Sequence, residues 1–243
     1  MNFYKYFRNR KIYRVGFLLS AVIFLFLAFL TFYGQNSGNV VMTVDENAYK
    51  RGLALCENEK FDTMNQWLTA APVEDVRDIT YYTIEDDLDK ILNTNGAFLD
   101  YVDDLSKYLA FTFYLTNTGT EACDFIYDIK ITDEIRGVSK AIRILLIVDG
   151  ETKDKYESFT MYMAPDKEEH FYPSYMPEAT EFLDDKTVCE TIVRNLVPGK
   201  PKKFSIIMWL EGEDPECIQE LFGGKIKLSM TFSIDSQQDL END

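Results

Sequence analysis

Residues 225–235 read KIKLSMTFSID. Ile226, Leu228, Met230, Phe232 and Ile234 fall on one side of an extended chain, and Lys227, Ser229, Thr231 and Ser233 on the other. Successive side chains of a strand point to opposite faces, so a period of two marks a half-buried β-strand. Gly223-Gly224 supplies the turn in front of it. A protein with such a strand needs partners for its apolar face.

The partners are legible upstream. FSIIMWLEG (204–212) sets Phe204, Ile206, Met208 and Leu210 against Trp209 and Glu211. CDFIYDIKIT (123–132) sets Phe125, Tyr127, Ile129 and Ile131 against Ile126, Asp128, Lys130 and Thr132. LAFTFYLTNTG (109–119) puts Phe111, Phe113 and Leu115 on one face. The NTGTEA between these last two runs is turn chemistry, so they are predicted to pair as a hairpin. AIRILLIVDGE (141–151) is apolar almost throughout and predicts a strand buried on both faces, with ESFTMYMAP (157–165) as its hairpin partner. TVCETIVRNL (187–196) is a further strand. At least six strands with short connections need two layers to bury one face each. The fold class expected is mainly β: an antiparallel β-sandwich or jelly roll with a few helices.

Earlier in the chain the period lengthens. DENAYKRGLALCENEKFDTMNQWLTAA (45–71) spaces its apolar residues by three and four and predicts helix, capped by Asp45 or Glu46. EDDLDKILN (85–93) predicts a second helix, stopped at Asn95-Gly96. Its acids, Asp86, Asp87 and Asp89, read as a solvated face. The expected organisation is a linker and helical segment over 34–75, a sandwich over 76–235 and a polar acidic tail over 236–243.

Charge is distributed unevenly. Residues 1–14 hold five Lys or Arg and no acid, which leaves 20 bases against 41 acids in the remainder. Between the two lies VGFLLSAVIFLFLAFLTFY (15–33), uncharged and long enough to span about 30 Å of hydrocarbon as a helix. Bases flanking an apolar run stay on the cytoplasmic side. The expectation is a retained transmembrane helix with a cytoplasmic basic tail and an extracellular acidic domain, because TFYGQNSGN after the apolar run lacks a small-residue cleavage pattern. An acidic domain of this kind repels nucleic acid. The partners expected are the membrane and a protein, through binding or self-association.

Chemistry-bearing motifs are sparse. The single histidine, His170, stands in DKEEHF without an HExxH pattern. No P-loop, GxGxxG or GxSxG occurs, and no nucleophile–base pairing is evident. No enzyme, metal or cofactor is therefore expected. Cys56, Cys123, Cys189 and Cys217 permit two disulfides or free buried thiols, and Cys217 is a candidate to pair with Cys123 or Cys189. The densest polar group is IMWLEGEDPEC (207–217). Its strand ends at Gly212 and Pro215, and its acids are read as a turn and a helix cap rather than a site. Trp209, Glu211, Asp214 and Cys217 form the candidate surface or turn signature.

Three stretches carry a resemblance. They are Tyr114-Leu115-Asn117-Gly119, then Asp133-Arg136-Gly137-Ala141-Ile142-Arg143, then Trp209 to Cys217 followed by Gly223-Gly224. Over residues 109–235 the chain resembles a family of uncharacterised membrane-anchored or exported proteins of Gram-positive, clostridia-like bacteria. More distantly its layout resembles camelysin and TasA-type surface proteins. The first resemblance implies no catalytic residues. The second implies a jelly-roll-like surface protein, with a camelysin-like metalloprotease as the enzymatic alternative. The function expected is a single-pass cell-envelope protein with a binding or structural role, or else an accessory subunit of a membrane complex.

Overall fold

The computed structural model describes residues 16–17, 19–25, 27, 39–101, 107–166 and 172–235. The chain divides into two units, Met1–Ser37 and Gly38–Asp243. In the first, residues 16–17, 19–25 and 27 are helical. No helix among the described residues is long and apolar enough to cross a membrane. The span expected over 15–33 falls partly outside the described residues, and His170 and the 236–243 tail fall wholly outside them.

The second unit is mainly β. A five-stranded sheet runs in the order β11 (Thr187–Leu196), β7 (Cys123–Ile135), β13 (Lys225–Ile234), β1 (Val40–Val44), β3 (Trp67–Ala70). The other sheet runs β10 (Ala179–Glu181), β9 (Ser158–Met163), β8 (Ile142–Val148), β12 (Lys202–Glu211), β6 (Leu109–Asn117), β2 (Leu53–Cys56). The two-residue strands β4 (Asp78–Ile79) and β5 (Gly96–Ala97) add to β12 and β6. Both sheets are mixed: β1 is parallel to β13, β10 to β9 and β4 to β12. The purely antiparallel arrangement expected from short connections is corrected accordingly.

The sheets share one core. Phe232 of β13 meets Phe113 and Phe204 of the opposite sheet at ring-centroid distances of 6.0 and 5.3 Å, both edge-on. Tyr127 of β7 meets Phe204 at 5.7 Å. Edge-to-face contacts of this kind add to the area term of burial. In β13 the predicted inward residues Ile226, Leu228, Met230 and Phe232 are buried, while the residues between them are half-buried or exposed.

The predicted hairpin of 109–117 with 123–132 does not form. β6 pairs with β12 and β2, whereas β7 pairs with β11 and β13. NTGTEA therefore crosses from one sheet to the other. Local turn chemistry cannot distinguish an arch from a hairpin, because both need only a chain reversal. The second predicted hairpin, β8 with β9, is present.

Burial on both faces of β6 and β8 has a simple cause. Phe111, Phe113, Ile144 and Leu146 enter the inter-sheet core. Ala110, Leu145, Ile147 and Ile207 lie in a second core with Ile84, Leu88 and Ile91. These last three belong to α2 (Tyr81–Leu92), which lies on the outer face of the larger sheet. Its apolar stripe recurs at three- and four-residue steps, as an amphipathic helix requires. Lys203 of β12 donates its ammonium to the Leu92 carbonyl, a cation at the negative end of the helix.

Residues 45–71 are not a long helix. α1 spans only Glu46–Lys50, with the Asp45 side chain accepting from the Ala48 N–H at 2.7 Å. Gly52, at φ +102°, ends it. The following Leu53–Cys56 is buried throughout as a strand. The helical spacing read from the sequence mixed one short helix with two strands. Since β1, β2 and β3 belong to the same two sheets as the rest, the expected boundary at residue 76 is crossed.

Candidate functional site

The three signature stretches build two structural junctions. At one, Asn117 ends β6. Its Nδ2 donates to the Leu196 carbonyl at 2.9 Å and to the Glu121 carbonyl at 2.8 Å, and its Oδ1 accepts from the Gly119 N–H at 2.8 Å. Thr118 donates its N–H and its hydroxyl to the Gly52 carbonyl, each at 2.8 Å. A Cβ on Gly52 would lie 2.6 Å from the Gly119 nitrogen, so the two glycines permit a close backbone approach.

The other junction sits at the opposite end of the sandwich and joins the remaining two stretches. Arg143 of β8 stands directly across from Trp209 of β12. β12 puts Trp209 and Glu211 on one face, as its alternation predicts. That face is covered, not exposed: Trp209 and Glu211 are fully buried, and so is Arg143. Arg143 Nη1 donates to Asp214 Oδ2 at 2.7 Å, with both side chains at 0% exposure. The Tyr172 ring lies 5.0 Å from the guanidinium carbon, a cation–π contact. Arg143 Nε and Nη2 meet no hydrogen-bond acceptor among the described residues.

Glu211 occupies the adjoining position. It accepts from Trp209 Nε1 at 2.9 Å and from the Glu213 N–H at 3.1 Å. Burial raises its carboxyl pKa above the ordinary Glu value, opposed by these donors and by the Arg143 charge. Asp214 Oδ1 accepts from the Glu216 N–H at 2.7 Å, and its carbonyl accepts from the Cys217 N–H at 2.9 Å. The expected cap on the following 3-10 turn, Gln219–Leu221, is absent, since Ile218 precedes that turn with no side-chain bond. Asp214 instead makes an ion pair with a residue 71 positions away, and nothing in the local pattern pointed to Arg143 as its partner. The expectation that Trp209, Glu211 and Asp214 lie at the surface is corrected: all three are buried.

The arrangement latches the β12–β13 crossover onto the larger sheet. Its polar atoms are largely spent on one another, with no exposed acid–base pair between them. Among the described residues no three His, Cys, Asp or Glu side chains gather to hold a metal ion.

The cysteines do not bridge. Cys56, Cys123, Cys189 and Cys217 are all free. Cys123 lies across from Leu196, and Cys189 across from Ile129. That separates Cys123 and Cys189 by six positions along β7, about 20 Å, far beyond disulfide reach. Burial pushes the thiols of Cys189 and Cys217 up to about 11, with nearby carboxylates adding to the effect at Cys217.

A second buried carboxylate lies under α2. Asp87 accepts from the Tyr108 hydroxyl at 2.9 Å and from Lys90 at 2.8 Å. It is 2% exposed, which corrects its reading as part of a solvated face. Tyr108 stacks on Phe98 and meets Tyr101 edge-on.

No protein-family model matches the chain, and no curated protein matches it. Among solved structures, a β-glucosidase from Kluyveromyces marxianus in complex with glucose is similar over 78% of this chain and 16% of that one, at 10% identity and a TM-score of 0.23. The chain thus spans about a sixth of that enzyme's length, and a likeness this distant carries no argument about fold or activity.

Proposed function

We propose that the chain is a single-pass envelope protein: a short basic tail on the cytoplasmic side, a spanning helix over 15–33, and the two-sheet domain on the outer side in a binding or structural role. The observation that carries this reading is the order of charge along the chain. Five bases and no acid precede the uncharged run, and every one of the 41 acids follows it. The exposed apolar side chains of the helical segment, among them Phe17, Leu19, Phe24 and Leu25, support it, since such a surface needs lipid or protein around it.

A non-enzymatic role is supported by the densest polar cluster of the domain. Arg143, Glu211 and Asp214 hold the fold together and are closed to substrate. Protease added to intact protoplasts tests the topology. Degradation of the domain with retention of a short membrane-held fragment is expected, and an untouched domain refutes the proposal.

A further inference from the structure

The longest free strand edge of the domain belongs to β11. It closes one side of the five-stranded sheet and, among the described residues, pairs with β7 alone. Of the other three edges, β3 has four residues, β10 has three, and β2 is bridged by Asn65 at Leu55. A free edge presents unpaired N–H and C=O groups to a further strand. Bulges interrupt β11 between Thr187 and Cys189 and between Val193 and Leu196, and residues 189–193 keep one-to-one register with β7.

The side chains along this edge are self-complementary. Glu190, Ile192 and Arg194 are exposed on the outer face, with Ile192 at 49%. Cys189 is in the inter-sheet core, and Val193 packs partly against it. A strand laid antiparallel against this edge matches it best with a base, an apolar residue and an acid at these three outer positions. The chain itself supplies that order. A two-fold axis through Ile192 sets Glu190 of one copy opposite Arg194 of the other, twice, and each Thr191 opposite a Val193.

The neighbouring charges leave the attraction at this centre. Arg194 also donates to Asp124 at 2.7 Å, and a guanidinium has donors for both carboxylates. Asp128, across from Glu190, is paired with Lys130 at 3.1 Å. Asp184, Asp185 and Lys186 at the start of β11 would meet Glu121 and Lys200 at the far end of its partner, which adds no net attraction. Glu178 and Glu181, in and beside β10 of the other sheet, are exposed and oppose association.

We propose that β11 is a self-pairing edge, through which two copies of the chain join antiparallel about Ile192 and their five-stranded sheets become one continuous sheet. Such a contact is isologous and closes at two copies. This deepens the binding or structural reading above by naming a second copy as the partner.

The test uses the full chain in detergent, so its outcome is independent of which side of the membrane the domain occupies. Opposed residues of antiparallel strands have Cα atoms about 4.5–5.5 Å apart, within disulfide reach. Under mild oxidation Ile192→Cys is expected to give covalent dimer several-fold in excess of the parent and of Trp67→Cys, which marks the opposite edge of the same sheet. Glu190→Lys and Arg194→Glu each set like charges opposite one another twice, and each alone should dimerise roughly tenfold more weakly in sedimentation. Their mixture sets opposite charges at both places and should restore the dimer. Equal crosslinking at positions 192 and 67 overturns the proposal. So does a dimer that persists in both charge variants, which places association elsewhere on the chain, and so does a mixture no tighter than its components. None of these failures touches the topology, which the protease experiment reads separately.

Discussion

Asp214→Asn isolates the charge in the Arg143 ion pair. The substitution is nearly isosteric and keeps an oxygen to accept the Glu216 N–H. At the 2.7 Å separation of the pair, an effective dielectric of about 20 gives roughly 6 kcal/mol of gross attraction, most of it offset by desolvation. Loss of one partner leaves that desolvation uncompensated. The guanidinium stays buried, with two of its three nitrogens lacking an acceptor among the described residues. The net cost expected is about 3–5 kcal/mol, as for other broken buried pairs. Arg143→Met strands the carboxylate instead and costs a similar amount.

The double variant, Arg143→Met with Asp214→Asn, removes the stranded charge and should cost well under the sum of the two, with a coupling of about 2 kcal/mol or more. Urea unfolding followed by far-UV circular dichroism measures all three. The single variants should lower the midpoint by more than about 1 M, given slopes of about 2–3 kcal/mol/M. Single variants costing under about 1 kcal/mol, or effects that add to within about 0.5 kcal/mol, would refute the latch.

Phe232→Ala removes the ring that joins Phe113, Phe125, Tyr127 and Phe204 and should cost about 3–5 kcal/mol in the same assay. Glu211 has a folded pKa raised by burial, so the folded state binds its proton more tightly than the unfolded chain. Its ionised form is penalised above the raised value, and that penalty is relieved as pH falls through it toward about 4.3. The stability of the parent relative to Glu211→Gln should therefore rise on acidification through that window, and a flat difference contradicts the assignment. A thiol assay in denaturant should count four free cysteines, with Cys189 and Cys217 reacting slowly in the folded protein because burial disfavours the thiolate. Two missing thiols would restore the disulfide expectation. Gly52→Ala should destabilise by about 1–3 kcal/mol, from both its positive φ and the close Gly119 backbone.

Strands with strict alternation were legible in the sequence because one face of each meets a core and the other does not. β13 and β7 are the clearest cases, and their inward residues are those the pattern predicted. β6 and β8 were found as apolar runs, but the reason for their double burial was not, because the helix that covers them is distant in sequence. Pairing was the least legible feature. The period-two signal marks β6 and β7 equally well whether they share a sheet or face each other across the core. β1 to β3 were missed because strands of four or five residues carry too few positions to separate a period of two from one of three and a half. At the signature, alternation correctly put Trp209 beside Glu211. The buried state of both depends on Arg143, α2 and Tyr172, whose convergence is a property of the folded topology alone.

The two junctions of the signature also have different consequences. The Asn117–Gly52 junction joins strand ends by neutral hydrogen bonds, a device that fixes register at modest cost. The Arg143–Asp214 latch buries two charges, and burying an ion pair is often no more stabilising than packing apolar groups in its place. Its distinctive effect is on the crossover it holds. Asp214 pins the loop at one end. At the other, Gly224 packs so closely under Val138 that a Cβ there would collide with its side chain and with the Leu221 carbonyl, and Leu221 is buried between. Ile218 and Phe222 thus project from a segment fastened on both sides. A side chain held this way loses little conformational entropy when it enters a surface, whereas one on a free loop must first be ordered.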